Sequence, residues 1–562
     1  MGDPTQLRFS PFLHQSTVMA RLHTILTSVL LVCLPTQARS VPLPQWSGWG
    51  GNIFNNRFVP SAVSADSIQS IAVHCRITFP NGVSATPSIA GDVAYFPTYS
   101  GLFVAYDYQS CATRWQTNIT SFLNKYAAVD RFQAAVVFAG SRTSPQLDLQ
   151  NNVIYIGTQL HALLLALDMR SGAIVGHIQV NPHPLAIVTM SPTFYNGQVF
   201  LGTSSSEESA AVDPTYPCCS FVGNFAAFSF DGHRFTTHWN RTMLPEPYGV
   251  GEWSGGAVWG SQPAIDIAGN QVFIATGNVY AIPVGVQACI NSTGNDNETA
   301  CYPPTVWQEA VIAFDITSGI ETWVRPLSAL DAWTLACGLK GLLPPQPTCP
   351  PDPGPDADFG MAPSFVSHHS ACTPHGRDVV VVGQKSGFVY AIDAANGTIY
   401  WSTLTGPDSS SSGALLWGVA VDEAQVYFTT VNPGLDLFTL QPSGLNITNS
   451  AYGAIELDTG KFVWEVPVPG GYNSFAPPTV TNDIVLVGDS GFVGPAGSAN
   501  DTGSVVVLNK HTGEILQQLH LDSVIYGGVA VSGRFVMTGS GYAPVYQLGH
   551  GSFYVYEVDS RK

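Results

Sequence analysis

The chain is poor in charge. Asp, Glu, Lys and Arg make up only 11% of its 562 residues, and the shortage falls on the basic side, with 21 Lys and Arg against 39 Asp and Glu. Beyond residue 40 the balance is 18 basic to 38 acidic, a net charge of −20. Such a surface repels nucleic acid and anionic membranes, and suits a neutral substrate or a cation such as calcium. No stretch reaches the ~18 uninterrupted apolar residues of a membrane helix, so no membrane span is expected. There is no C-x-x-C-H for covalent haem. No G-x-G-x-x-G opens a helix after a strand, and P-loop and H-E-x-x-H motifs are absent, which removes the common nucleotide and zinc-hydrolase readings.

What is present is a phrase that keeps returning. A hydrophobic strand is followed by a loop, an "xxAxD" strand, an "xTG"-like turn and often Trp. Copies run over Ala94–Trp115, Val153–Gly172, Phe388–Trp401, Tyr452–Trp464 and Ser504–Ile515. Self-similarity at a spacing of roughly 40–60 residues marks a propeller or solenoid. Alternating strands separated by D-x-x-(S/T/N)-G turns make each copy an antiparallel sheet. With 55 Gly, 40 Pro and 45% hydrophobic residues the composition is turn-rich and all-β. Eight copies can be counted, so the expected fold is one eight-bladed β-propeller over residues 41–562. Its last sheet is expected to borrow an outer strand from the N-terminal segment around Gln45–Phe58, which leaves no open edge.

Residues 1–40 read differently. Arg21 and His23 precede an apolar run from Ile25 to Pro35, followed by "TQARS", the pattern of a secretory signal peptide. Met19 is an alternative start. Seven N-x-(S/T) sequons, at Asn118, Asn240, Asn291, Asn297, Asn396, Asn446 and Asn500, agree with a secreted glycoprotein. Secretion permits disulfides. Cys289 with Cys301, Cys337 with Cys349 and Cys75 with Cys111 are plausible local pairs. Cys218 and Cys219 either bridge each other or pair elsewhere, and Cys372 is left as a free thiol.

Long insertions are expected between the second and third strands, at Ser204–Val222, Val279–Gln308, Val431–Ala451 and Ser490–Gly503. All emerge on one face of the disc, together with the Ser328–Gly360 connection, and a site belongs there. Glu207 and Glu208 end one second strand and Asn278 ends the next, and carboxylate with amide oxygen suits a hard cation such as Ca²⁺. Trp259 and Trp417 precede strands at the channel mouth, where a flat aromatic can stack a planar cofactor. Lys385 lies on a turn that can reach the channel. Each has a plainer reading as a loop acid, a packing tryptophan or a surface lysine.

In serial order the motifs "WGSQPAID", "VFIATGN", "AVIAFDITSGIETW", "PDADFGMAP", "GQKSGFVYAID" and "WGVAVD" resemble the pyrroloquinoline quinone (PQQ) dependent alcohol dehydrogenases, in their polyvinyl-alcohol-dehydrogenase-like branch. The resemblance implies an oxidoreductase that oxidises a small or polymeric alcohol with PQQ and calcium and, lacking haem, passes electrons to an external acceptor. It implies that Ser204, Ser205, Ser206 and Trp259 cradle the quinone and that Lys385 holds a quinone oxygen. It further implies calcium on Glu207 and Asn278, and Glu309 as the base. In that family adjacent cysteines stack on the quinone, but Cys218 and Cys219 lie in a different blade from that pattern. A non-catalytic relative, a bacterial outer-membrane assembly lipoprotein, uses the same repeat as a binding scaffold, so a secreted scaffold glycoprotein is the competing expectation.

Overall fold

The structure, a computed structural model, describes residues 46–559 apart from 340–342, 368–376, 409–412, 495–496, 499–500 and 543–548. The segment read as a signal peptide, Cys372 and Asn500 lie outside the described residues, as do the side chains of residues 295–297.

Eight four-stranded antiparallel sheets follow one another along the chain. The inner strands begin at Ser88, Gln146, Thr193, Ala264, Ser364, Ala420, Thr479 and Ala530. In each blade the middle two strands are nearly all apolar, as in Val153–Gly157 and Leu163–Asp168, whereas the outer strand alternates, as in Ile174–Gln179. A middle strand is covered by a neighbouring blade on both faces, so it has no polar side to show; an outer strand has one face in water. The pairing between third and fourth strands slips at an equivalent place in seven blades, after the alanine of "xxAxD" or, in the seventh blade, after Val507. A bulge there bends and twists the outer strand.

Adjacent blades are joined by a repeated contact. Trp239 donates its indole N–H to the Ile316 carbonyl of the next blade at 3.0 Å, and Trp323 does the same to Ala394 at 2.9 Å. Each ring lies over the glycine of the neighbour's turn. A Cβ on Gly319 would sit 2.4 Å from Trp239 Cδ2, and Gly319 has φ +65°. Only glycine satisfies both demands, which is why the "TG" of the repeat accompanies the tryptophan.

Ring closure differs from expectation. The strand that completes the last blade is Ala72–Phe79, paired antiparallel with Gly551–Glu557, not the segment around Gln45–Phe58. That earlier segment is threaded through the centre instead. Its backbone bonds to successive inner strands at Ile89, Leu147, Ile265, Phe365, Val421 and Val480. Asn55 and Arg57 take positive φ values of 57° and 51°, which breaks any strand. Arg57 is fully buried and donates to Trp49 O at 2.6 Å, Pro478 O at 2.7 Å and Thr479 Oγ1 at 2.8 Å. An amphipathic-looking run with a buried guanidinium is therefore a hub, not a sheet edge.

The predicted insertions fall where expected, between second and third strands. The D-x-x-T-G turns join third to fourth strands and so lie at the opposite end of each sheet. One insertion was not foreseen: residues 119–140 carry two helices, Ile119–Tyr126 and Arg131–Val136, on the connection between the first two blades. Disulfides join Cys75 to Cys111, Cys218 to Cys219, Cys289 to Cys301 and Cys337 to Cys349. No helix among the described residues is long and apolar enough to cross a membrane.

Candidate active site

Three of the sequence-level candidates converge. Trp259 and Trp417 meet edge to face, with ring centroids 5.4 Å apart and planes at 86°. Lys385 Nζ lies 5.6 Å from the Trp259 ring centre. Lys385 sits on the tight turn after the strand Val379–Gly383, and its backbone N–H donates to Asp358 O at 3.2 Å. Its Nζ lies 2.9 Å from Asp356 Oδ1 and 2.6 Å from Asp358 Oδ1, with all three residues buried. Trp259 Nε1 donates to the other oxygen of the same carboxylate, Asp358 Oδ2, at 2.8 Å. Asp358 thus links the cation to the aromatic floor.

The charges shape one another. Burial alone would lower the Lys385 ammonium, but Asp356, Asp358 and Glu208 outweigh it and hold the proton on more tightly than usual. Burial lifts Asp356 well above the ordinary carboxylate range against the pull of Lys385, with Asp358 and Glu208 adding to the rise. Glu208 is pushed up to about 7 by burial, Lys385 opposing and Asp358 reinforcing. Glu208 thus shares the electrostatic field of Lys385 and Asp358.

Glu207 is wholly buried and its oxygens are engaged by the protein. Tyr216 Oη donates to Oε1 at 2.6 Å and the Ser220 N–H at 2.7 Å, while the Phe221 N–H donates to Oε2 at 2.8 Å. Those amides directly follow Cys218–Cys219, so the bridged pair shapes the turn that grips Glu207. The serines before it build the same turn. Ser204 and Ser205 pair with Ile187 and Ala186, and Ser205 and Ser206 donate to Leu185 O at 3.2 and 3.1 Å. Ser205 and Ser206 also line a cavity of about 740 Å³.

Asn278 commits its amide nitrogen to Val279 O at 2.9 Å and Trp333 O at 2.8 Å, which leaves Oδ1 as the end open to a ligand. Glu309 lies immediately before the third strand of the Asn278 blade, its backbone N–H donating to Gly277 O at 3.2 Å. It is 0% exposed and faces Asp331. Burial, then Asp331, lifts its proton affinity far above that of a free glutamate.

Sequence reasoning missed three groups. Asp356 and Asp358 stand in the quoted motif "PDADFGMAP", but nothing in the chain says that this long connection folds back onto Lys385. Arg142 was passed over too. Its guanidinium lies 5.0 Å from the Trp417 ring centre, donates to Tyr542 Oη at 3.2 Å and lines the same cavity as Ser205 and Ser206. Trp417 Nε1 is buried with no acceptor.

This arrangement has relatives. A family model described as the outer membrane protein assembly factor BamB matches residues 307–492 and 385–523. A polyvinylalcohol dehydrogenase from a Pseudomonas species is 26% identical over 528 residues, covering 89% of this chain and 73% of that protein. A second, from Sphingopyxis sp. (strain 113P3), is 26% identical over 409 residues, 70% of this chain and 56% of that protein. The chain thus spans little more than half the length of the second relative. The crystal structure of quinohemoprotein alcohol dehydrogenase from Comamonas testosteroni superposes with a TM-score of 0.66 at 16% identity, over 92% of this chain and 81% of that one, which bears on the fold. The chain is similar in sequence to polyvinylalcohol dehydrogenases and shares the β-propeller fold of the quinohemoprotein alcohol dehydrogenases. In sequence its likeness runs to the polyvinyl-alcohol-dehydrogenase branch.

Proposed function

We propose that the protein is a secreted quinoprotein that oxidises an alcohol with PQQ and calcium and hands the electrons to an external acceptor. The observation that carries this reading is the Trp259–Asp358–Lys385 unit, a carboxylate held by an indole N–H and an ammonium on an aromatic floor. A binding scaffold has no use for a buried lysine between two buried aspartates.

The residues present fit the implied groups. A planar quinone bearing carboxylates suits the ring face of Trp259, with Trp417 standing perpendicular beside it, the cation of Arg142 and the unpaired Trp417 N–H. A hard cation suits the free Asn278 Oδ1 and the surplus of carboxylates over Lys385, with Glu207 and Glu208 on the neighbouring strand end. The quinone, when bound, supplies the two-electron acceptor for the hydride. The chain supplies the rest. Asp358 takes the hydroxyl proton of the alcohol at Oδ2, whose second lone pair is free. Lys385 keeps that carboxylate in place and compensates its charge, and Trp259 fixes its orientation. Glu309, expected as the base, is buried beside Asp331, and burial followed by that acid raises its proton affinity.

Secretion is supported by four disulfides, which need an oxidising compartment. The sequon residues Asn118, Asn240, Asn291, Asn396 and Asn446 are all exposed, as glycans require. The test is a titration of the purified protein with PQQ in the presence and absence of Ca²⁺, followed by dye reduction with a panel of alcohols. Saturable, calcium-dependent binding that Trp259→Ala weakens at least tenfold is expected, with alcohol-dependent dye reduction. Binding of PQQ without any turnover would favour the scaffold reading.

A further inference from the structure

We infer that the apolar cavity beside Tyr280 receives the hydrocarbon part of the alcohol, so that the substrate class is amphipathic alcohols with a long apolar chain; this rests on the alcohol-oxidising reading above. The cavity holds about 560 Å³, within the roughly 300–1,000 Å³ typical of small-molecule sites. None of its lining side chains is charged.

Its walls are fixed covalently. Cys218 and Cys219 line it directly, and their bridge keeps that turn rigid. The helix Val284–Thr293 forms a second wall and is tied down through Cys289–Cys301. Cys349 and the two prolines after it form a third wall, held by Cys337. Three of the four disulfides among the described residues thus surround one cavity. At its mouth Val250 and Val284 are 62% and 77% exposed, apolar surface that a bound chain would cover.

The inner end leads towards the acidic centre. Tyr280 lines the cavity, yet its hydroxyl is buried and has no hydrogen-bond partner. Its ring stacks on that of Phe221, with centroids 6.3 Å apart, and the Phe221 N–H donates to Glu207 Oε2 at 2.8 Å. Ala332 also lines the cavity, and the neighbouring Asp331 accepts at Oδ2 the N–H of Ala357, which lies between Asp356 and Asp358, at 2.8 Å. A chain lying in the cavity would bring its hydroxyl to an unpaired O–H donor beside the carboxylates. A polyol would leave several hydroxyls against valine, alanine and proline, which is costly.

The experiment compares linear primary alcohols from ethanol to octanol, and glycerol, on protein loaded with PQQ and Ca²⁺. It also measures 1-octanol binding by calorimetry on protein without cofactor. Each added methylene should raise kcat/KM by about fourfold until the cavity is filled, with glycerol the poorest. Ala288→Trp places an indole in the cavity from an exposed helix position. It should lower the octanol-to-ethanol ratio of kcat/KM at least tenfold and weaken octanol binding to the cofactor-free protein by a similar factor. A flat chain-length profile, or octanol binding untouched by Ala288→Trp, would overturn the inference. Octanol binding that Ala288→Trp abolishes, with no alcohol turned over, would support the cavity while sinking the catalytic reading.

Discussion

Replacing Lys385 with Met keeps most of the side-chain stem and removes the charge between Asp356 and Asp358. In the wild-type protein Lys385 is 5% exposed, and its two acid partners lie 2.9 and 2.6 Å away and are equally buried. The variant leaves two buried carboxylates without their cation, a change that costs about 3–5 kcal/mol. The deficit should depend on pH with a definite sign. Asp356 already has a folded-state pKa raised above its ordinary value, by burial. Without Lys385 it rises further, so the folded variant binds protons that the unfolded chain has released. Its stability is therefore greatest below the unfolded carboxylate range and falls as pH rises through the folded values. Urea unfolding of both proteins at about pH 8 and about pH 5 measures this. The gap should be largest at the higher pH and shrink at the lower one. A gap under about 1 kcal/mol at pH 8, or an identical gap at both, would refute the claim that Lys385 compensates the charge of these acids.

Gly319→Ala sets a Cβ 2.4 Å from Trp239 Cδ2 at a positive φ, and should cost about 2–4 kcal/mol in thermal or urea unfolding. Removing the Cys75–Cys111 bridge, which spans 36 residues and ties the closing strand to the first blade, should cost about 3–4 kcal/mol, read by the same unfolding under oxidising conditions. Glu465 is buried, accepts one N–H from Gln441 at 2.6 Å, and has its pKa pushed up to about 8 by burial. A raised acid stabilises nothing when ionised: its penalty is absent below about pH 4.5 and grows through pH 8. Glu465→Gln should therefore raise stability by about 2–4 kcal/mol at pH 9 and leave it nearly unchanged at pH 4.

The blades were legible because each copy carries its own local signals: a buried strand, a D-x-x-T-G turn and a docking tryptophan. The sequence neighbours of Gly319 and Trp239 announce the contact even though the two residues lie 80 positions apart. The closing strand was misplaced for the opposite reason. Trp46–Phe58 is rich in aromatics and carries one positive charge, Arg57, so it looks like an outer strand, whereas Asn55 and Arg57 adopt backbone angles that no hydropathy pattern reveals. At the site, Trp259, Trp417 and Lys385 could be found because each borders a repeat strand. Asp356 and Asp358 could not, since a proline-rich connection has no period from which to read its path. Glu207 and Glu208 are adjacent in sequence, and no pattern in the chain tells which of the two carboxylates the Ser220 and Phe221 amides grip.

The central claim is that Asp358, set by Trp259 and Lys385, draws a proton from an alcohol as the alcohol is oxidised. The most direct measurement is the absorption of PQQ bound to the calcium-loaded protein, followed anaerobically as an alcohol such as 1-octanol is added. Wild-type protein should lose the oxidised-quinone absorption in proportion to protein. Asp358→Asn, carrying the same amount of PQQ, should lose it at least a thousandfold more slowly, in line with the about 10²–10⁴-fold share of a positioned general base. Equal rates in the two proteins, or no change with any alcohol in wild-type protein that has bound PQQ, would contradict the account.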